Sequence, residues 1–246
     1  ETASGQQIQS DQLVTVLIND IAKVSQSVVL ILDDYHHIRK QEIHQSITFL
    51  LDHAPPNLHL IITTRRDPPL PLARLRVWGE LTEIREQQLR FTDEESSAFF
   101  GLSKNLHLDN EIVQRLRTRT EGWIAGLQMA AISLADSPDH ESFVQQFAGS
   151  HRYVADYLIA EVFARQPRER QMFLLKTSIL DRFNIDLCQA VTGETKCAEI
   201  LAQLEQANLF LIPLDVNRNW YRYHHLFRDF LYHQINREQP ELAPQL

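Results

Sequence analysis

Glycine is scarce in this chain, with seven in 246 residues against a usual share of about 7%. None of the seven is followed by lysine, so the sequence holds no glycine-rich loop ending in Gly-Lys-Ser/Thr, the element whose backbone N–H groups wrap nucleotide phosphates. Cysteine is scarcer still. Cys188 and Cys197 form neither a CxxC pair nor a framework of bridges, which excludes a disulfide scaffold and leaves reduced thiols as the expectation. No run of about 18 uninterrupted apolar residues occurs, and the first five residues, Glu1 to Gly5, have neither the basic nor the apolar part of a signal peptide. A cytoplasmic setting without membrane contact is expected. Basic residues are outnumbered, 24 against 32 acidic, for a net charge of −8. That balance argues against direct nucleic-acid contact as the main role of this segment.

The apolar residues that are present fall into clear patterns. Leu13, Val16, Leu17, Ile21 and Val24 have helical spacing behind Ser10 and Asp11. "SVVLILDD" and "LHLIITTRR" are short continuous apolar runs with polar ends, the pattern of parallel strands covered on both faces. Between them, Ile43, Ile47, Leu50 and Leu51 mark a crossover helix that stops at Pro55-Pro56. His44 and His53 on that helix read as ordinary solvent-facing histidines. "DPPLPLARLRVWG" reads as a proline-rich connection into a short helix and "ELTEI" as a weaker third strand.

From Thr92 the texture is helical. Thr92 and Glu95 have the spacing of a capping box, Ile112, Val113 and Leu116 mark a second helix, and Trp123, Leu127, Ala130, Ala131 and Leu134 form an apolar face. Ser137-Pro138 and Gln166-Pro167 each read as a helix start with Pro in the first position, and two helical patterns fill 150 to 176. Two further helices, a hairpin with arms 209–214 and 220–223, and a closing helix "LFRDFLYHQI" suggest a winged-helix unit.

Ligands of open parallel sheets sit outside the carboxyl ends of the strands, which gathers Asp33, Asp34, Thr63, Thr64 and Arg65. Two carboxylates after an apolar strand suit Mg²⁺ on a nucleoside triphosphate. One contacts the ion and the other orients or deprotonates water, while an arginine fork contacts the terminal phosphate. The same residues with His36, His37, His44 and His53 permit an Asp/His metal-dependent phosphohydrolase, although no HxH or HExxH spacing occurs. A solvated strand end with no chemistry is the third reading.

The ordered segments "VVLILDDYHHI", "LHLIITTRRDPPLPLARLRVWGELTEI", "LRFTDEESSAFF", "TEGWIAGLQMAAISL", "FLLKTSIL" and "YRYHHLFRDFL" resemble large ATP-dependent LuxR-type transcriptional regulators. These are the group typified by the bacterial maltose-regulon activator, within the STAND class of signal-transduction ATPases. The resemblance runs from about residue 11 to the end. It implies a Walker B strand in "LILDD", with Asp33 facing Mg²⁺ and Asp34 orienting water as the catalytic carboxylate, and a sensor segment in "TTR", with Arg65 on the terminal phosphate. "TEGWIAGLQ" is similar to the segment that packs by the adenine in related ATPases, without their usual proline; Trp123 itself reads as core. "YHHLF" is similar to the winged-helix histidine motif, which makes His224 the residue that reaches the β-phosphate of ADP. His225 stands where many relatives have Asp.

The fold class so implied is α/β plus α. It comprises a partial P-loop-type NTPase domain over 1–90 with the P-loop strand absent, a helical ATPase subdomain over 91–149 and a winged-helix arm over 150–246. The expected function is the regulatory ATPase core of a multidomain transcription activator, a slow nucleotide switch that couples ATP/ADP state to self-association. ATP or ADP with Mg²⁺ would be bound in an intact parent that supplies the P-loop, sensor and DNA-binding domains, and this chain alone would be inactive. A non-catalytic interaction module is the alternative from another class.

Overall fold

The computed structural model describes residues 2–102, 106, 108–135 and 139–241, with side chains from residue 11 onward. They form two compact units, Glu1–Glu83 and Ile84–Leu246.

In the first unit, helix α1 (Thr2–Ala22) packs on α2 (Gln41–Asp52). Strands β1 (Val28–Leu32) and β2 (Leu58–Ile62) pair in parallel, Val28 opposite Leu58 through Leu32 opposite Ile62. The β-branched and leucine side chains of both runs fit a pleated surface, and α2 supplies the crossover, ending before the proline pair that cannot continue it. A 3₁₀ turn (Tyr35–His37) follows β1, and α3 (Leu72–Trp78) closes on Gly79 in the left-handed conformation.

Two expectations fail here. Glu80–Ile84 is not a strand: among the described residues the sheet has two strands. Glu83 instead takes a fork from Arg76 of α3, Nε at 2.8 Å and Nη2 at 3.0 Å, so side chains rather than a ladder hold the segment. Nor is β1 covered on both faces, since burial alternates along both strands and leaves Val29 53% and Ile31 60% exposed beside Ile61. A continuous apolar run is equally compatible with one covered face or two.

The second unit is helical up to its hairpin. Its elements are α4 (Glu86–Leu89), α5 (Asp93–Leu102), α6 (Asn110–Thr120), α7 (Ile124–Ala135), α8 (His140–Gln146) and α9 (Arg152–Tyr157), which runs into a π-helical turn (Leu158–Phe163). Then come α10 (Arg168–Thr177), α11 (Ile185–Thr192), α12 (Cys197–Gln206), the antiparallel pair β3 (Leu211–Pro213) and β4 (Tyr221–Tyr223), and α13 (His225–Glu238).

The capping box forms as the spacing requires: Thr92 N–H donates to Glu95 Oε2 at 2.9 Å and Glu95 N–H to Thr92 Oγ1 at 3.2 Å. The start read at Ser137-Pro138 lies outside the described residues; α8 begins behind Asp139, whose carboxylate accepts the Ser142 N–H at 3.0 Å. Pro167 is the N-cap of α10 rather than its first helical residue. One apolar core runs from Phe100 to Ile235 through this whole unit.

Candidate functional site

The first candidate region is the carboxyl end of the parallel pair. Asp33 Oδ1 accepts the Asp34 N–H at 3.1 Å and the Thr63 hydroxyl, and Thr63 Oγ1 also lies 3.0 Å from the Asp34 N–H. Tyr35 N–H donates to Thr63 O at 2.9 Å, so the loop after β1 is fastened to the end of β2. Asp34 takes a left-handed conformation, φ 52°, which Asp tolerates better than most residues. The strand ends thus bring Asp33, Asp34 and Thr63 together, both carboxylates exposed, and Arg65 is exposed two residues beyond Thr63.

This donor set suits a hard cation that takes one or two carboxylates and keeps its waters. Asp33 Oδ1 carries the contacts above, and Asp34 Oδ1 lies 3.7 Å from His36 Nδ1. The phosphate-wrapping loop is not in this sequence.

Behind the loop, a cavity of about 370 Å³ is lined by Tyr35, His36, Arg39, His44, Thr64 and Arg66 among others. His44 is not solvent-facing: it is 5% exposed, and its Nδ1 meets the Tyr35 hydroxyl at 2.9 Å. Burial, then neighbouring His37, lowers the pKa of His36. Among the described residues no group of three or more His, Cys, Asp or Glu side chains is arranged to hold a metal ion. The phosphohydrolase reading, which needs such a cluster, is left without one there.

His224 belongs to the second unit, where it caps α13. It is 3% exposed, and its Nε2 lies 2.8 Å from Thr120 O. A carbonyl only accepts, so Nε2 carries the proton. Nδ1 is buried without a hydrogen-bond partner. Burial lowers the pKa of His224 and keeps the ring neutral near pH 7. Its ring meets Trp123 and Phe210 edge-on, with centroids 5.9 and 5.6 Å away. Phe210 has φ +54°, an outlier for a bulky side chain, and its carbonyl accepts the His224 N–H at 2.9 Å.

Beside His224 lies a residue that sequence reasoning missed. Glu121 and Gly122 both have positive φ, 51° and 73°, and turn the chain sharply from α6 into α7. The turn permits no side chain at Gly122, where a Cβ would stand 2.6 Å from Phe91 O.

The Glu121 carboxylate, 7% exposed, accepts Arg222 Nη1 at 2.7 Å and Nη2 at 2.8 Å, Arg90 Nη1 at 3.0 Å and the His225 N–H at 2.9 Å. Burial alone would raise its pKa, but the Arg222 hydrogen bonds, His224 and the His225 N–H outweigh that and hold it at about 2. With His224 neutral, the Arg222 fork and the helix-start N–H still lower it. Glu121 and Arg222 lie in the stretches "TEGWIAGLQ" and "YRYHHLFRDFL", but their pairing across 101 residues leaves no local spacing to read.

The hairpin and its flanking helices define a winged-helix domain in a helix-rich chain, and residues 159–243 match the family described as the MalT winged helix domain. Over most of its length the chain is similar to the HTH-type transcriptional regulator MalT of Vibrio parahaemolyticus, 36% identical over 229 residues, covering 90% of this chain and 25% of that protein. MalT of Serratia proteamaculans is 35% identical over 232 residues, 94% of this chain and 25% of the relative. The serine/threonine-protein kinase PknK of Mycobacterium tuberculosis is 32% identical over 225 residues, 92% and 20%. The chain therefore resembles a segment of multidomain, MalT-like regulators, and spans a quarter or less of the length of these relatives.

Proposed function

We propose that this chain is the nucleotide-switch core of a multidomain bacterial transcription regulator, coupling ATP or ADP occupancy to self-association. The observation that carries the reading is the arrangement of Asp33, Thr63 and Asp34 at the carboxyl ends of a parallel strand pair, in a chain similar to MalT along most of its length.

Asp33, its Oδ1 held by Thr63, would hold a hydrated Mg²⁺ through its other oxygen. Asp34 would accept a proton of the attacking water, and Arg65 would offer its fork to the terminal phosphate. When bound, Mg²⁺ neutralises charge on the phosphates. His224 has one uncommitted nitrogen. Donating from Nδ1 to a β-phosphate while Nε2 keeps Thr120 O requires the imidazolium, which the phosphate's own charge would favour. The winged-helix region is an arm rather than a DNA reader. Its α12 offers acidic and neutral residues behind Lys196, whereas base and phosphate contact needs Arg and Lys.

Without a glycine-lysine loop of its own, the 246-residue chain is expected to give no micromolar binding of a fluorescent ATP analogue. Saturable micromolar binding with steady phosphate release would overturn that. In the parent regulator, Asp33→Asn should weaken Mg²⁺-dependent binding and Asp34→Asn should abolish turnover. Unaltered binding and turnover in both would favour the reading as a non-catalytic interaction module, which the missing loop also suits.

A further inference from the structure

The winged-helix region, residues 159–243, shares one apolar core with the helices before it. Apolar contact is non-directional, so something else must fix the angle at which the region sits. One group of its directional contacts with the preceding helices meets at Glu121, which lies outside the matched region at the α6–α7 corner; a separate one is the Asp229 carboxylate of α13 on the Gly149 N–H. Through one buried carboxylate, Glu121 holds Arg222 of β4 by a two-point fork and the N–H of His225 in the first turn of α13, while Arg90, just past α4, binds the same carboxylate. Thr120, the residue before it, holds His224.

At the other end, α9 enters the region through the π-helical turn Leu158–Phe163, where the Ala164 N–H reaches back five residues to Ile159 O at 2.9 Å. Such turns are a recurrent device at functional sites. The region is thus joined at a locally irregular helical turn and held at two carboxylates, Glu121 at the α6–α7 corner and Asp229 of α13 on the Gly149 N–H.

We infer that Glu121 is the latch of this arm: the positioning residue that sets His224 and the start of α13 against the α6–α7 corner, and whose release lets residues 159–243 turn about the π-helical turn. The purpose of the latch rests on the nucleotide-switch reading, whereas its geometry does not. When Arg222 leaves, Arg90 stays on the Glu121 carboxylate, so opening returns Arg222 and the His225 N–H to water without leaving a buried charge unpaired.

Hydrogen exchange on the 246-residue chain without nucleotide tests this, comparing the natural protein with Glu121→Gln and with Arg222→Lys, which keeps the charge and loses the fork. The expected result is exchange faster by about tenfold or more at the amides of residues 221–226 and of Trp123, with α10, α11 and α12 as protected as before. The imidazole nitrogen shifts of His224 should also leave those of a fixed Nε2–H tautomer. Unchanged exchange at 221–226 would overturn the proposal. So would an even loss of protection across α10 to α12, or unfolding of both variants, because the pair would then be part of the fold and not a latch. If only Glu121→Gln fails to fold, Arg222→Lys is read by the same criteria. The nucleotide-switch reading fails or stands by the Asp33 and Asp34 variants of the parent, so neither failure implies the other.

Discussion

At the residue scale, the groups that control this chain are those whose charge is held against burial. Glu121 has its carboxyl lowered from 4.5 to about 2, so the unfolded chain takes up its proton first as pH falls. The stabilisation from this one group is complete above pH 4.5 and is lost as pH falls from there through about 2; from the shift it amounts to at most about 3 kcal/mol. Other carboxylates titrate over the same range, so the comparison is with Glu121→Gln, which has no proton to gain. Urea unfolding of both proteins between pH 6 and pH 3 should show the natural chain losing more stability than the variant. Parallel curves would mean that the Arg222 fork does not hold the carboxylate as the geometry requires. His224 acts in the same direction at higher pH. With its folded pKa below 6.5, it too costs stability as pH falls from about 6.5, a contribution that a His224→Gln background would remove.

At the element scale, α13 is fixed by two unlike contacts: the Glu121 carboxylate at its first turn, and the bare backbone of Gly149 in the connection between α8 and α9. A Cβ at Gly149 would stand 1.8 Å from Leu226 O and 2.5 Å from Phe230 N. Both are backbone atoms of α13, so the helix itself would have to move. Gly149→Ala is therefore expected to destabilise the second unit by about 3 kcal/mol, read as a lowered urea midpoint. A change under roughly 0.5 kcal/mol would mean that α13 is free to shift. The sequence offered no means of picking Gly149 from seven glycines, because the residue that excludes a side chain there lies far along the chain.

What was legible was local. The Thr92–Glu95 box, the apolar runs of β1 and β2 and the crossover between them depend on neighbours within a few residues, and each formed where the spacing placed it. "ELTEI" was misread because its alternation resembles a strand, whereas the Arg76–Glu83 fork decides its path. His44 was misread because a helical histidine gives no sign of the Tyr35 hydroxyl that buries it. Asp33, Asp34 and Arg65 stand near the strand ends, while the Glu121 cluster is assembled from three distant segments whose mutual contacts no local spacing shows.

At the scale of the whole molecule, the two units differ in how much they bury. The continuous core lies entirely in the second unit, from Phe100 to Ile235. The first has Tyr35, Leu50 and Leu75 as its fully covered apolar side chains, among the described residues, and exposes Val29, Ile31 and Ile61 on its sheet. Apolar burial is the main favourable term in folding, so the first unit should open at lower free energy, and local opening governs proteolysis when reclosing is fast. Its basic pairs, Arg39-Lys40 and Arg65-Arg66, are exposed in the segments after the two strands. Brief trypsin digestion of the native chain should therefore cut first at these pairs, leaving a resistant product that begins between Asp67 and Phe91 and retains α5 through α13. Mass spectrometry of the early products reads this directly. First cuts within the second unit, at Arg115, Arg168 or Lys196 for example, would show that its larger core does not give it the greater stability, and would equally remove the stable platform that a hinged, Glu121-latched arm requires.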